Sequence, residues 1–99
     1  VVFWRAQALY DLGDKTQAFL LVRDFEETYP TSEFSAKALR LKAWCLLDAG
    51  KTEDALKAFE LFHARYNGDV GASQNLLDWS RTLSQMGRTR ESAGVLKHL

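Results

Sequence analysis

From Ala36 to Ala49 apolar and small residues occur nearly all round a helical wheel. Ala38, Leu39, Leu41, Ala43, Trp44, Cys45, Leu46 and Leu47 do not fit one narrow stripe. A helix with that pattern is covered on several sides. The stretches on either side of it are amphipathic instead. Ala18, Phe19, Val22 and Phe25 fall on one helical face, and so do Ala55, Leu56, Phe59, Phe62 and Tyr66. No segment alternates apolar and polar as a half-buried strand would, so an all-α fold is expected.

The helical stretches are punctuated at a fixed interval. Gly13, Gly50 and Gly87 stand 37 residues apart. A shift of 37 also lays Ala6 on Ala43, Leu9 on Leu46, Asp11 on Asp48, Ala18 on Ala55, Phe25 on Phe62 and Tyr29 on Tyr66. The third copy keeps Leu83 and Thr89 and has Ser92 in place of the alanine. A period in this range means a stacked helical repeat. Each glycine is expected just past a helix end, where a left-handed backbone costs glycine little. Asp14 and Thr52 are the expected caps of the helices that follow, with Gln17 three residues after the first. Pro30 and Asn67-Gly68 end the second helices, which puts the repeats at about 1–30, 31–67 and 68–99. The first helix of the middle repeat is expected from Ser32 to Ala49. That of the third is expected from near Asp69 to about Met86.

Composition narrows the function. The 99 residues suit one domain, and 46% apolar content is enough for a core. Thirteen basic residues balance thirteen acidic ones, which argues against a general nucleic-acid or anionic-membrane binder. No apolar run approaches the ~20 residues that span a bilayer. The single cysteine, Cys45, excludes an internal disulfide and a cysteine metal cluster. Both ends fall inside helical patterns, so a piece of a longer solenoid is expected.

The pattern Ala6–x–x–Leu9, Gly13–x–x–x–x–Ala18 and then Pro30, with Gly50 and Ala55 repeating the pair, resembles the tetratricopeptide repeat. The resemblance runs over the whole chain, as about two and two-thirds units. The period is 37 rather than the usual ~34, roughly one extra helical turn per unit. Phe25 and Phe62 stand where that family often has alanine. The resemblance implies a right-handed α-solenoid of about three helical hairpins and a non-catalytic role in protein–protein interaction. The string Phe25–x–x–x–Tyr29–Pro30–x–Ser32 is similar to a subclass of bacterial cell-envelope repeat proteins. Examples of that subclass are a lipoprotein of outer-membrane β-barrel assembly and the Tol–Pal coordinator. It implies a periplasmic or envelope location, with the cytoplasm as the alternative.

In that family the first helices build a concave wall. Carried over, the wall holds Phe3, Gln7, Tyr10 and Asp11, then Lys37, Arg40, Trp44, Leu47 and Asp48, then Leu77, Arg81, Ser84 and Gln85. Residues 37, 40, 44, 47 and 48 share one helical stripe on spacing alone. Gln7, Tyr10, Lys37, Arg40, Trp44, Asp48 and Arg81 are therefore the candidate partner-binding residues. The aromatic and arginine members have the character of interface anchors. Trp44 also suits a packing role between repeats, and the two arginines suit plain solvated or ion-paired positions. Trp4 and Trp79 fall on the other faces and are expected in the core, with Phe25, Phe59 and Phe62.

Chemistry has little behind it. His63 and His98 lie in different repeats and neither has a ligand at i+4, so no metal is expected. Cys45 sits in the most apolar helix and reads as a buried small side chain. Glu26-Glu27 and Glu53-Asp54 read as solvated charge, and Arg88-Thr89-Arg90 as a mildly basic turn. No cofactor is expected. A protein or peptide partner is, either in the groove or, as the alternative, at the solenoid ends. Val1, Val2, Val95, Leu96 and Leu99 would leave apolar area open to self-association there.

Overall fold

The computed structural model describes residues 2–99, apart from the side chain of Glu26. The expectations resting on Val1 and on the Glu26 side chain lie outside the described residues. The chain is all-helical: α1 (Val2–Asp11), α2 (Lys15–Val22), α3 (Phe25–Thr28), α4 (Ser35–Asp48), α5 (Thr52–Tyr66), α6 (Ala72–Gln85) and α7 (Thr89–Leu96). α1 packs against α2, α4 against α5, and α6 against α7. Further contacts of α2, α3 and α5 with the next first helix stack the hairpins into one slab of 38 × 27 × 18 Å.

The glycines make the hairpins alike. Gly13, Gly50 and Gly87 have φ of 92°, 79° and 79°. Each donates its N–H three residues back, to Tyr10, Leu47 or Ser84, at 3.0 Å. The next residue donates five back, to Leu9, Leu46 or Leu83, at 2.8–2.9 Å. This paired bonding satisfies carbonyls left open at a helix end, and it requires the left-handed residue. Asp14 caps α2 as expected, its carboxylate accepting from the Gln17 N–H at 3.2 Å. Thr52 does not cap α5. It is already the first helical residue, and Lys51 holds the cap position without a side-chain bond.

The unit junctions differ from expectation in a regular way. α4 starts at Ser35 rather than Ser32, because Ser32 forms a turn. Its Oγ accepts from the Phe34 N–H at 3.1 Å, and Ser35 donates its hydroxyl to the Tyr29 carbonyl. Thirty-seven residues on, Asp69 repeats the device, accepting from the Gly71 N–H at 2.8 Å, and α6 starts at Ala72. The first unit's second helix is interrupted at Arg23-Asp24, so α2 and α3 replace one continuous helix.

Two core clusters share α4. Ala38, Leu41 and Cys45 face Phe3, Ala6, Ala18, Val22 and Phe25. Leu39, Ala43 and Leu46 face Ala55, Phe59, Phe62 and Leu76. That double burial accounts for the all-round apolar pattern of α4. The close helix approach uses Ala6, Ala18 and Ala55, all fully buried, and Ala43, almost so. In the last hairpin serines take these places, and Ser92 donates its hydroxyl to the Ser80 carbonyl at 2.8 Å. The bond offsets the cost of burying the hydroxyl.

Three expectations fail on packing. Trp4 is not core: it is 55% exposed, held at the surface by edge contacts with Phe3 and Phe34. His63 and His98 are not far apart. The return of α7 brings their rings to 4.7 Å, and the Trp79 ring lies 5.9 Å from that of His63. Val95 is buried, and among the described apolar end residues Leu96 and Leu99 are the exposed ones. Arg88 is not a free basic turn either. From the cap position of α7 it bonds Glu91 in that helix's first turn and Glu53 at the start of α5.

Candidate functional site

The first helices of the hairpins contribute to one face, and two depressions lie along it. The first, of about 320 Å³, lies between α1 and α4 and is walled by Phe3, Trp4, Gln7, Lys37, Arg40, Leu41 and Trp44. The second, of about 280 Å³, is walled by Tyr10 from α1, by Trp44, Leu47 and Asp48 from α4, and by Asp78, Arg81, Thr82 and Gln85 from α6. Trp44 belongs to both. The seven residues singled out by sequence are thus brought together. Gln7, Lys37 and Arg40 lie on one side of Trp44, and Tyr10, Asp48 and Arg81 on the other.

Trp44 combines the two roles the sequence left open. The residue is 37% exposed. It also ties hairpins together: Nε1 donates to Asp78 Oδ2 on α6 at 3.2 Å, and its ring centre is 6.3 Å from that of Tyr10 on α1. The Arg40 guanidinium lies 5.5 Å from the indole centre and 3.5 Å from the same Asp78 oxygen. Gly71 leaves room for that position: a Cβ there would stand 3.1 Å from Arg40 Nη1, close enough that the guanidinium would have to give slightly. In the preceding unit Phe34 fills the corresponding place and stacks on Phe3 at 5.6 Å.

Asp78 is the residue that sequence reasoning missed. It is almost fully buried, and it accepts from Arg40, from Trp44 and, at 2.9 Å, from the Gln74 amide. A signal existed. The 37-residue shift lays Asp78 on Leu41, and Asn75 and Thr82 on Ala38 and Cys45. A polar run on a core stripe marks a place where the next layer is held by hydrogen bonds. Asn75 donates to the Phe59 carbonyl of α5 at 3.1 Å, whereas Thr82 bonds back within α6, to the Asp78 carbonyl at 2.8 Å.

Asp48 does for α1 what Asp78 does for α4. Tyr10 donates its hydroxyl to Asp48 Oδ2 at 2.6 Å, and Lys15 Nζ is 3.3 Å from the same oxygen. Burial and the Asp48 bond hold the Tyr10 phenol well above its usual range. Burial first, and Asp48 second, push the Cys45 thiol up to about 11. A thiol so placed is neutral at physiological pH and is not a nucleophile. Gln7 donates to Asp11 at 3.0 Å on the exposed side of α1.

Helical hairpins repeated at a fixed period, each turning on a left-handed glycine and stacked through small residues, define a tetratricopeptide-like repeat protein. Residues 2–62 match the family described as "Anaphase-promoting complex, cyclosome, subunit 3", and the chain belongs to that repeat family. The match covers α1 to α4 and most of α5. No curated protein matches the chain. Repeats of this type mediate protein–protein interaction and are typically non-catalytic. No helix among the described residues is long and apolar enough to cross a membrane.

Proposed function

We propose that the chain is a non-catalytic scaffold that takes a segment of a partner protein along the face of α1, α4 and α6. The observation that carries this reading is the pair of depressions hinged on Trp44. Together they offer exposed aromatic surface and charged side chains already fixed in place by neighbours. Preorganised aromatic and arginine groups are the usual anchors of interfaces, because little side-chain freedom is lost when they are covered. Helix-in-groove and extended-segment binding both use such a surface. Attachment through the solenoid ends has less support, since Val95 is buried and Val2 packs against the first core cluster. A place in a bacterial cell envelope is supported by the string Phe25 to Ser32 alone. A leader peptide encoded in the parent gene would test it.

The test is a randomised peptide library panned against the chain, with binders mapped by amide chemical shifts. Binders should perturb Trp44 and its neighbours. Trp44→Ala should weaken them about tenfold or more, the loss of one buried aromatic anchor. Helicity should be retained. Binders that map to α5 and α7 and ignore Trp44 would overturn the proposal.

A further inference from the structure

Both signs of charge line the two depressions, but within those walls they are not equally available. Asp48 already serves Lys15 and the Tyr10 hydroxyl. Asp78 already serves Arg40, the Trp44 indole and the Gln74 amide, and its side chain is only 11% exposed. A carboxylate whose charge is already balanced by a neighbouring cation attracts little from outside. The cations differ. Among the described residues, Lys37 and Arg81 make no ion pair with a carboxylate, and both are exposed. Lys37 Nζ stands 5.9 Å from the Trp4 ring centre and 6.0 Å from that of Phe34. It therefore sits above an apolar floor rather than beside an acid. Its depression has two cations and no carboxylate in its wall.

Resting on the groove reading above, we infer that the partner segment is acidic. It places one carboxylate side chain against Lys37 and another against Arg81, and an aromatic or large aliphatic side chain between Trp4 and Trp44. The chemistry is complementary at each point. An anion beside Lys37 gains a counter-charge that no intramolecular acid supplies. The apolar side chain covers the indole of Trp4, which the fold leaves in water. Arg81 offers a planar fork suited to a carboxylate. The attraction is local, because the chain as a whole is formally neutral. It acts within about a Debye length, roughly 8 Å at physiological salt.

The same randomised peptide selection tests this through the composition of the binders and two charge variants. Binders should be enriched in Asp and Glu flanking Phe, Trp or Leu. Lys37→Gln with Arg81→Gln should weaken them about tenfold, the loss of two partly exposed charge pairs. Lys37→Glu with Arg81→Glu should weaken them further and invert the salt dependence. Both sites are exposed, so thermal melting should stay unchanged. Binders that need Trp44 but are basic or neutral would overturn the acidic partner and leave the groove standing. Acidic binders indifferent to both charge variants would overturn it too. Binders indifferent to Trp44, or no binders at all, would remove the groove reading and this inference with it.

Discussion

Removing the Asp78 carboxylate should loosen the joint between the second and third hairpins. The cost follows from what the carboxylate holds. Deleting one member of a fully buried ion pair costs about 3–5 kcal/mol, whereas an exposed pair is worth about 0–1 kcal/mol. The side chains of Asp78 and Arg40 are 11% and 24% exposed, and their contact is long at 3.5 Å, so the pair lies between those limits. The Trp44 indole N–H and the Gln74 amide also lose their acceptor. Each lost bond to a charged group is worth about 1.5–3 kcal/mol when no water replaces it, but Trp44 and Gln74 are exposed enough to recover part of this. Asp78→Ala should therefore cost about 2–3 kcal/mol, which for a chain of this size lowers Tm by about 10–20 °C. Asp78→Leu copies the residue found 37 positions earlier, and it should still destabilise while Arg40 is present. Adding Arg40→Met should recover about 1–2 kcal/mol, because apolar side chains can replace a buried pair if both charges go. Urea unfolding followed by tryptophan fluorescence measures the whole cycle. If Asp78→Ala costs under about 0.5 kcal/mol, below what a single buried hydrogen bond contributes, the joint is held by packing alone and the reasoning is wrong.

Two further outcomes follow from the same structure. Gly50→Ala meets no atom within 4 Å, so its cost is that of forcing an L-residue to φ of 79°, about 1–2 kcal/mol in thermal unfolding. An unchanged Tm would mean that the turn relaxes. For Cys45, the folded protein favours the neutral thiol, whose pKa rises from 9.0 to about 11. Its contribution to stability is complete below about pH 9 and is lost as pH rises through about 11. The urea midpoint should fall over that window, and less steeply in Cys45→Ser. Rapid labelling of the native thiol at neutral pH would contradict the burial that causes the shift.

The repeat was legible because it is written in local chemistry. Gly13, Gly50 and Gly87 each meet a backbone demand that involves only the preceding turn, so their role follows from spacing. The α4 part of the candidate face was legible for a related reason, since residues three and four apart on one helix stay together whatever else the fold does, and its α1 and α6 parts came from the family resemblance. The failures lie where distant segments meet. The family frame puts Trp4 on a core face, but its exposure depends on where Phe34 arrives. His63 and His98 are separated by two helices in sequence, α6 and α7, and joined by the hairpin's return.

Periodicity by itself determined that the chain is helical, that it repeats every 37 residues, and that α4 is covered on both sides. The reason is that helix formation, capping and amphipathic burial act within a few turns of chain. Only the tertiary structure decided that Trp44 is a wall and a tether at once, that Asp78 stands behind it, and which charges remain unpaired. Those properties belong to contacts between helices: the polar run on α6 marks Asp78 as unusual, but only the approach of α4 puts Arg40 and Trp44 on one of its oxygens.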